Sequence, residues 1–350
     1  MPSWTLFPHG LCFPLLLISL TWIPSSFGFS LALLMSPASC SGLISVRPRF
    51  PQPASLPLLL SVPPHLTGRL EELTVWCRNM AVRAFEGKDH AAAYWQFRVT
   101  PQELISKIMS SMDKKTPKQF SLALDVGCGS GQGTKLLAPY FTKVVGTDIS
   151  PAQLEMASAN SNPPNVSYRQ CPAEELPFAS GEVDLVTAMT AAHWFDRPRF
   201  LQEADRVLRP GGCMALLSYT LDMELEYRDI SKALTDVCKE FYNALLPFRD
   251  PYLGPSSQKL YADMFESCSY PDKEWTDRLQ VRRTLPLNGY VCMVETFSSY
   301  QKMKQKDPAG AERLSNDISN KLMSIMKVSS PDTEVTMVVN YFYFLAFKPS

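Results

Sequence analysis

The chain has 350 residues, 34 basic and 34 acidic side chains, no formal net charge, a pI near 6.9 and 45% hydrophobic content, the profile of an ordinary globular protein. With no net positive charge and no block of like charges, the sequence carries no polybasic footprint for nucleic acid or a membrane surface, so a small molecule is the expected partner. Nine scattered cysteines without a C-x-x-C, and four histidines without an H-E-x-x-H, argue against a disulfide scaffold and a metal site and fit reduced cytoplasmic thiols.

Residues 1–68 contain no Asp, Glu or Lys, only Arg47 and Arg49, and 11 of the 29 prolines, whereas residues 69–350 carry 32 basic and 34 acidic groups. The apolar run over residues 11–23 is interrupted by Pro14 and ends at Pro24, short of the roughly 20 residues a membrane-spanning helix needs. Residues 1–79 are therefore expected to be an apolar, Pro-rich leader and linker, disordered or a non-native extension, and membrane association is not expected. A cytoplasmic location follows, with a secretory or membrane-associated one as the alternative if the leader is functional. A complete domain is expected to start at Met80 and to run to residue 350.

Beyond this boundary the pattern is that of an alternating α/β domain. A helix is expected over residues 101–112, where Leu104, Ile105, Ile108 and Met109 repeat at helical spacing, with a polar break at 114–118. A strand at 121–126 runs into a glycine turn and a helix through Leu136, Leu137 and Tyr140. A second strand at 143–148 is followed by Ser150-Pro151, a cap and a proline at the first helical position. Residues 166–170, 183–190 and 212–220 are expected as three further buried strands, with a helix over 198–208 before the last. Helices are then expected over 224–246, 256–268, 290–303 and 311–326, the last with Leu314, Ile318, Leu322 and Ile325 on one face. Strands at 279–287 and 334–347 are expected to add an antiparallel edge. The predicted fold is α/β: a Rossmann-like, doubly wound, mostly parallel sheet over residues 84–220, with a helix-rich C-terminal portion and closing strands over 221–350.

The chemistry concentrates in Asp125-Val126-Gly127-Cys128-Gly129-Ser130-Gly131. Glycines after a first strand let a ligand approach the backbone, and the following helix offers free N–H groups to an anionic part of it. Asp148 ends the second strand 19 residues after Gly129, where an acid can accept from both hydroxyls of a ribose.

Five ordered motifs extend this signature. They are residues 124–131 (LDVGCGSG), 145–150 (VGTDIS), 173–178 (AEELPF), 183–186 (VDLV) and 206–212 (RVLRPGG). Together they resemble the class I S-adenosylmethionine-dependent methyltransferases of the small-molecule type that includes trans-aconitate and ubiquinone-pathway enzymes. The resemblance implies S-adenosyl-L-methionine as cofactor and a small-molecule methyl acceptor, with a carboxylate among the candidates. It implies that Gly127, Gly129 and Gly131 cradle the methionyl part, with Asp125 near its ammonium, Asp148 on the ribose and Ile149 over the adenine. The family commonly has an Asp before the Ala-Glu pair, to accept from the adenine amino group; here Pro172 stands there, leaving Ala173 and Glu174 as candidate substitutes. Met189 and the segment after it, Thr190-Ala191-Ala192-His193-Trp194-Phe195, lie at the carboxyl end of a strand, where open α/β sheets bind ligands.

Methyl transfer is an in-line displacement that needs alignment and exclusion of water more than acid–base chemistry. His193 reads either as a general base or as a histidine that only shapes its loop, and Trp194 and Phe195 either as substrate contacts or as core. Upstream, Tyr94 and Arg98 lie in a segment that resembles one closing over the cofactor, and Arg98 suits a carboxylate of cofactor or substrate. Cys128 has no base partner and is given no catalytic role. Two other functions fit parts of the pattern. One is an inactive methyltransferase-like partner subunit; the other is a nicotinamide-dependent oxidoreductase, disfavoured because the turn is G-x-G-x-G and not G-x-G-x-x-G.

Overall fold

The computed structural model describes residues 98, 100–115, 120–254 and 256–350. The expected leader, the domain start at Met80 and Tyr94 lie outside the described residues. Helix α1 (Gln102–Lys115) buries Leu104, Ile105, Ile108, Met109 and Met112 on one stripe, with Glu103 in its first turn and Lys114 and Lys115 in its last, as the helix dipole favours.

The sheet core follows in chain order as β1 (Phe120–Val126), α2 (Gln132–Leu137), β2 (Phe141–Asp148), α3 (Pro151–Ala159), β3 (Val166–Gln170), β4 (Val183–Met189), α4 (Arg197–Val207) and β5 (Leu208–Tyr219). These five strands are parallel, in the order β3-β2-β1-β4-β5. The chain walks outward from β1 to β3 and returns to β4, so β1 and β4 flank the crevice where doubly wound sheets bind ligands. Ser150 caps α3 by accepting from the Gln153 N–H at 3.4 Å, with Pro151 beginning the helix.

One strand expected to be buried is not. β3 is the sheet's outer edge, and Ser167, Arg169 and Gln170 are exposed because no further layer covers them. The side-chain amide of Asn165, in a formal glycosylation sequon, donates to the carbonyls of Ala138 and Phe141 at 2.9 and 2.8 Å.

Beyond β5 come β6 (Glu224–Glu226), α5 (Ser231–Leu245), α6 (Ser257–Ser267), β7 (Asp272–Pro286), α7 (Leu287–Glu295), α8 (Ser298–Lys306), α9 (Pro308–Met326) and β8 (Glu334–Phe347). The expected helix at 224–246 is therefore corrected: its first three residues pair with Thr336 to Val338 of β8. The helix expected at 290–303 is two helices, broken where Thr296 and the buried Phe297 turn the chain. Strand β7 begins at Asp272, seven residues before the expected start, past a register shift between Thr276 and Leu279.

The antiparallel part is more than an edge. β8 pairs with β5 over residues 341–347, with β6 over 336–338 and, on its other side, with β7 along its whole length. Its alternation serves two cores: Tyr341, Tyr343, Leu345 and Phe347 face the layer of α1, α5 and α7 to α9, and Phe342, Phe344 and Ala346 face the layer of α4 and α6. Asp184 ties β4 to its neighbours, accepting from the N–H groups of Ser121 and Leu122 at 2.8 and 2.9 Å and from Arg209 Nε at 2.5 Å. Among the described residues no helix is long and apolar enough to cross a membrane, no His, Cys, Asp or Glu group is arranged for a metal ion, and the six cysteines are free thiols.

Candidate active site

The turn after β1 holds Gly127, Gly129 and Gly131 at φ of 67°, 54° and 81°, torsions that other residues resist. Space reinforces torsion at two of them. A Cβ at Gly127 would lie 2.5 Å from the Ala191 Cβ and 2.9 Å from the Phe195 ring, and one at Gly131 would meet the Tyr168 ring at 2.7 Å. The turn therefore rests on Tyr168 of β3 and on the loop after β4, with its backbone N–H groups at the start of α2.

Two carboxylates flank this turn. Asp125 is 1% exposed, and its two oxygens accept from the hydroxyls of Thr134 at 2.6 Å and Thr187 at 2.9 Å. Burial pushes its pKa up to about 6, against the pull of those two hydrogen bonds. Asp148, at the end of β2, accepts from the Gly129 N–H and the Ser150 N–H, both at 2.8 Å. Burial raises its pKa as well, opposed by the backbone donors. Next to it Ile149 leaves 38% of its surface exposed, an apolar face open beside the acid.

A cavity of about 470 Å³ opens at the carboxyl ends of β1, β4 and β5, within the range of small-molecule pockets. It starts at Asp125, Gly127, Gly129 and Met189, passes Leu217 and Tyr219, and reaches Val281, Arg283, Val339 and Tyr341 on β7 and β8. Arg98 lines it too. Its guanidinium donates to Thr296 Oγ1 at 2.8 Å and to the Tyr219 hydroxyl, and stacks over the Phe297 ring with 4.5 Å to the centroid. Arg98 thus joins the cavity wall to the helical C-terminal portion.

The remaining expected residues sit elsewhere. Gly131, Asp148, Ile149, Ala173, Glu174, His193, Trp194 and Phe195 do not line this cavity. Ala173 is buried, and Glu174 Oε1 accepts from the Asp196 N–H at 2.7 Å, which anchors the loop ahead of α4. Phe195 turns its ring edge-on to the fully buried Phe200 at 4.8 Å and supports Gly127 from beneath. Trp194 is half-buried with its ring 5.4 Å from that of His193.

His193 is 9% exposed, and its Nδ1 lies 3.4 Å from the hydroxyl of the fully buried Tyr261. Burial lowers its pKa to about 3, assisted by the positive charges of Arg249, Arg98 and Arg197. The ring is neutral, and its contacts are with Trp194 of its own loop and Tyr261 of α6. Burial raises the Cys128 thiol well above its usual range, which leaves it inert as a nucleophile.

Sequence reasoning missed the supports. Thr134 and Thr187 read as ordinary helix and strand residues, and Tyr168 as one β-former among many. Arg283 lies in a polar strand whose partner was not identifiable. Only the pairing of Val281 with Val339 and Arg283 with Met337 shows that both point to the cavity face.

Comparison with known proteins agrees with this geometry. The methyltransferase-domain family profile matches residues 124–216. A Dictyostelium discoideum protein named as a methyltransferase is 32% identical over 246 residues, covering 69% of this chain and 87% of its own. A Saccharomyces cerevisiae protein named as an S-adenosylmethionine-dependent methyltransferase is 25% identical, covering 71% and 91%. A solved structure from Anaeromyxobacter dehalogenans, named as a type II methyltransferase, shares the fold with a TM-score of 0.56 at 23% identity, covering 72% of this chain and 98% of that one. The glycine cradle, the acid closing β2 and the open apolar face beside it fit S-adenosyl-L-methionine as the cofactor. The chain belongs to the class I S-adenosylmethionine-dependent methyltransferases.

Proposed function

We propose that this protein transfers the methyl group of S-adenosylmethionine to a small molecule whose nucleophile is already an anion at neutral pH, a carboxylate before all others. The observation that carries this reading is the lining of the cavity: among its described residues are Arg98, Arg282 and Arg283 but no imidazole and no lysine, and of its two carboxylates Asp125 has both oxygens engaged by Thr134 and Thr187 while Glu103 lies in the first turn of α1. A phenol, alcohol or protonated amine would need a base to remove its proton, whereas a carboxylate is ionised well below pH 7.

Bound at the turn, the cofactor supplies an electrophilic methyl carbon. Gly127, Gly129 and Gly131 give it room, Asp125 attracts its ammonium, Asp148 accepts from its ribose hydroxyls and Ile149 covers its adenine. With Glu174 Oε1 committed to the Asp196 N–H, the adenine amino group falls to the backbone around Ala173. Met189 and Arg98 border the acceptor, Met189 by apolar contact and Arg98 by charge. Alignment, charge and a dry cavity are then what the protein contributes, and His193 shapes the loop without moving a proton.

The test uses the full chain with methyl-labelled S-adenosylmethionine and a panel of carboxylates, phenols and amines. A carboxyl methyl ester is cleaved by alkali to volatile labelled methanol, and base-labile counts from a carboxylate are the expected result. Label that stays in an alkali-stable ether or N-methyl product refutes the acceptor class. Calorimetric titration with S-adenosylmethionine, lost in Asp148→Ala, checks the cofactor pose independently.

A further inference from the structure

Two arginines stand over the loop that follows β4, and neither has a carboxylate of its own. The loop leaves the strand through Thr190 at a left-handed φ of 63°, makes one turn over Ala192–Trp194 and enters α4 at Arg197. It backs Gly127 through Ala191 and Phe195. The segment after α5 packs against it: the Tyr252 hydroxyl donates to the Phe195 carbonyl at 2.5 Å, and the Arg197 guanidinium lies 5.0 Å from the centre of the Tyr252 ring. The same segment carries Arg249, whose Nη2 donates to the Leu253 carbonyl at 3.3 Å. The charges of Arg249 and Arg197 both reach the buried His193, as does that of the cavity residue Arg98, so the pair belongs to the carboxyl end of the sheet, with the glycine turn and the cavity.

A guanidinium withdrawn from water is normally matched by an acid. Among the described residues, none lies within ion-pair distance of Arg197 or Arg249. Asp250 accepts from Lys302 Nζ at 2.5 Å and from the Tyr252 N–H at 2.9 Å, and Glu174 Oε1 accepts from the Asp196 N–H. Arg197 Nη1 and Arg249 Nε are buried and have no hydrogen-bond partner. Burial lowers the Arg249 pKa, and no acid pulls it back. Arg197 also occupies the first position of α4, the end where the helix dipole favours negative charge, and the Asp196 side chain does not cap that end. Each of these features costs stability in the free protein, and a single bound anion offsets all of them.

We propose that Arg197 and Arg249 are specificity-determining residues that together bind a carboxylate of the methyl acceptor, and that this carboxylate is recognised and not methylated. Two guanidinium forks can satisfy both oxygens of one carboxylate, a match in charge and in plane. Oxygens held in that way have their lone pairs engaged and are poor nucleophiles, so the methyl group goes to another atom of the acceptor, held nearer Met189 and the glycine turn. The inference rests on the methyltransferase reading above and adds to it the group by which the acceptor is selected.

The probes are hexanoate, its uncharged counterpart hexanamide, and inorganic phosphate, titrated calorimetrically into the full chain saturated with S-adenosylhomocysteine. Hexanoate is expected to bind about tenfold more tightly than hexanamide, and more tightly than phosphate. Arg197→Gln and Arg249→Gln are each expected to abolish the preference for hexanoate, and Arg249→Lys to keep part of it, all with unchanged affinity for S-adenosylhomocysteine. In the wild type the ring-proton resonances of His193 should move with hexanoate and stay in place with hexanamide, which locates the anion even where a variant does not fold. Hexanoate binding no better than hexanamide, a preference that survives both glutamine variants, an unmoved His193 signal, or phosphate binding more tightly than hexanoate overturns the proposal. So does methyl hexanoate formed from S-adenosylmethionine by the wild type and lost in Arg249→Gln, which would make the held carboxylate the reacting one. Failure of the wild-type chain to bind S-adenosylhomocysteine at all would instead remove the cofactor reading on which the inference stands.

Discussion

Replacing Gly131 by alanine adds one methyl group at a position under two separate constraints. The first is torsional: at φ of 81° an L-residue with a Cβ costs about 1–2 kcal/mol more than glycine. The second is spatial, because the new Cβ would approach the Tyr168 ring to 2.7 Å, an overlap worth about 1–3 kcal/mol once neighbours shift. Gly131→Ala should therefore lose about 2–5 kcal/mol of stability. Tyr168→Ala should cost about 1–3 kcal/mol alone, since the half-buried ring leaves β3 and its hydroxyl no longer donates to Asn162 Oδ1 at 3.0 Å. In the double variant the overlap vanishes while the torsional cost stays. Its loss should then fall short of the sum of the single losses by about 1–3 kcal/mol, read from urea unfolding of all four proteins. Additivity within ~0.5 kcal/mol would show that Tyr168 does not support the turn.

Protonation gives two further predictions of opposite sign. Asp125 has a folded pKa raised to about 6, so the native state holds a proton that the unfolded chain releases nearer pH 4; its contribution to stability declines from pH 4 to 6 and is flat above, and Asp125→Asn should remove that decline from a pH series of unfolding curves. If Asp125 attracts the cofactor's ammonium as proposed, affinity for S-adenosylmethionine should fall below pH 6 in the wild type as that carboxylate is neutralised. His193, with its folded pKa lowered to about 3, must be charged on unfolding, so stability is lost as pH falls from about 6.5, by up to about 1.4 kcal/mol per pH unit; His193→Gln should flatten this slope, and if the slope is unchanged the neutral buried imidazole is refuted. Glu174→Ala removes the acceptor of the Asp196 N–H and should cost about 1–2 kcal/mol, whereas Glu174→Gln, which keeps an oxygen there, should cost little in the same unfolding assay.

The parallel half of the fold was legible because its signals are local. A short apolar strand ending in glycines, and an acid closing the next strand, fix the order of β1 and β2 and mark the turn at which we propose the cofactor binds. Where burial is decided by distant partners, the sequence misled. The apolar Val166 made β3 look interior, and only its place outside β2 leaves Arg169 and Gln170 in water. Residues 224–226 have helix-compatible composition, yet they form a strand because β8 extends beyond the end of β5 and needs a partner there. The same holds for the site. The glycines and Asp148 carry their chemistry in their spacing, but the hydroxyls that hold Asp125, the tyrosine beneath Gly131 and the arginine across the sheet are brought together only by strand register.

The position of β8 in the chain also sets the order in which the protein can be made. β5 is complete at Tyr219, but its antiparallel neighbour is supplied by residues 341–347, and β7 pairs with that same late strand. During synthesis both therefore present open hydrogen-bonding edges until residues 334–347 have left the ribosome. Pairings of such long sequence separation are slow to form and expose sheet edges to other chains meanwhile. Shielding of the nascent chain should accordingly matter most after β7 has emerged, and ribosomes stalled before residue 334 is exposed should carry a chain whose parallel half is folded and whose antiparallel half is not.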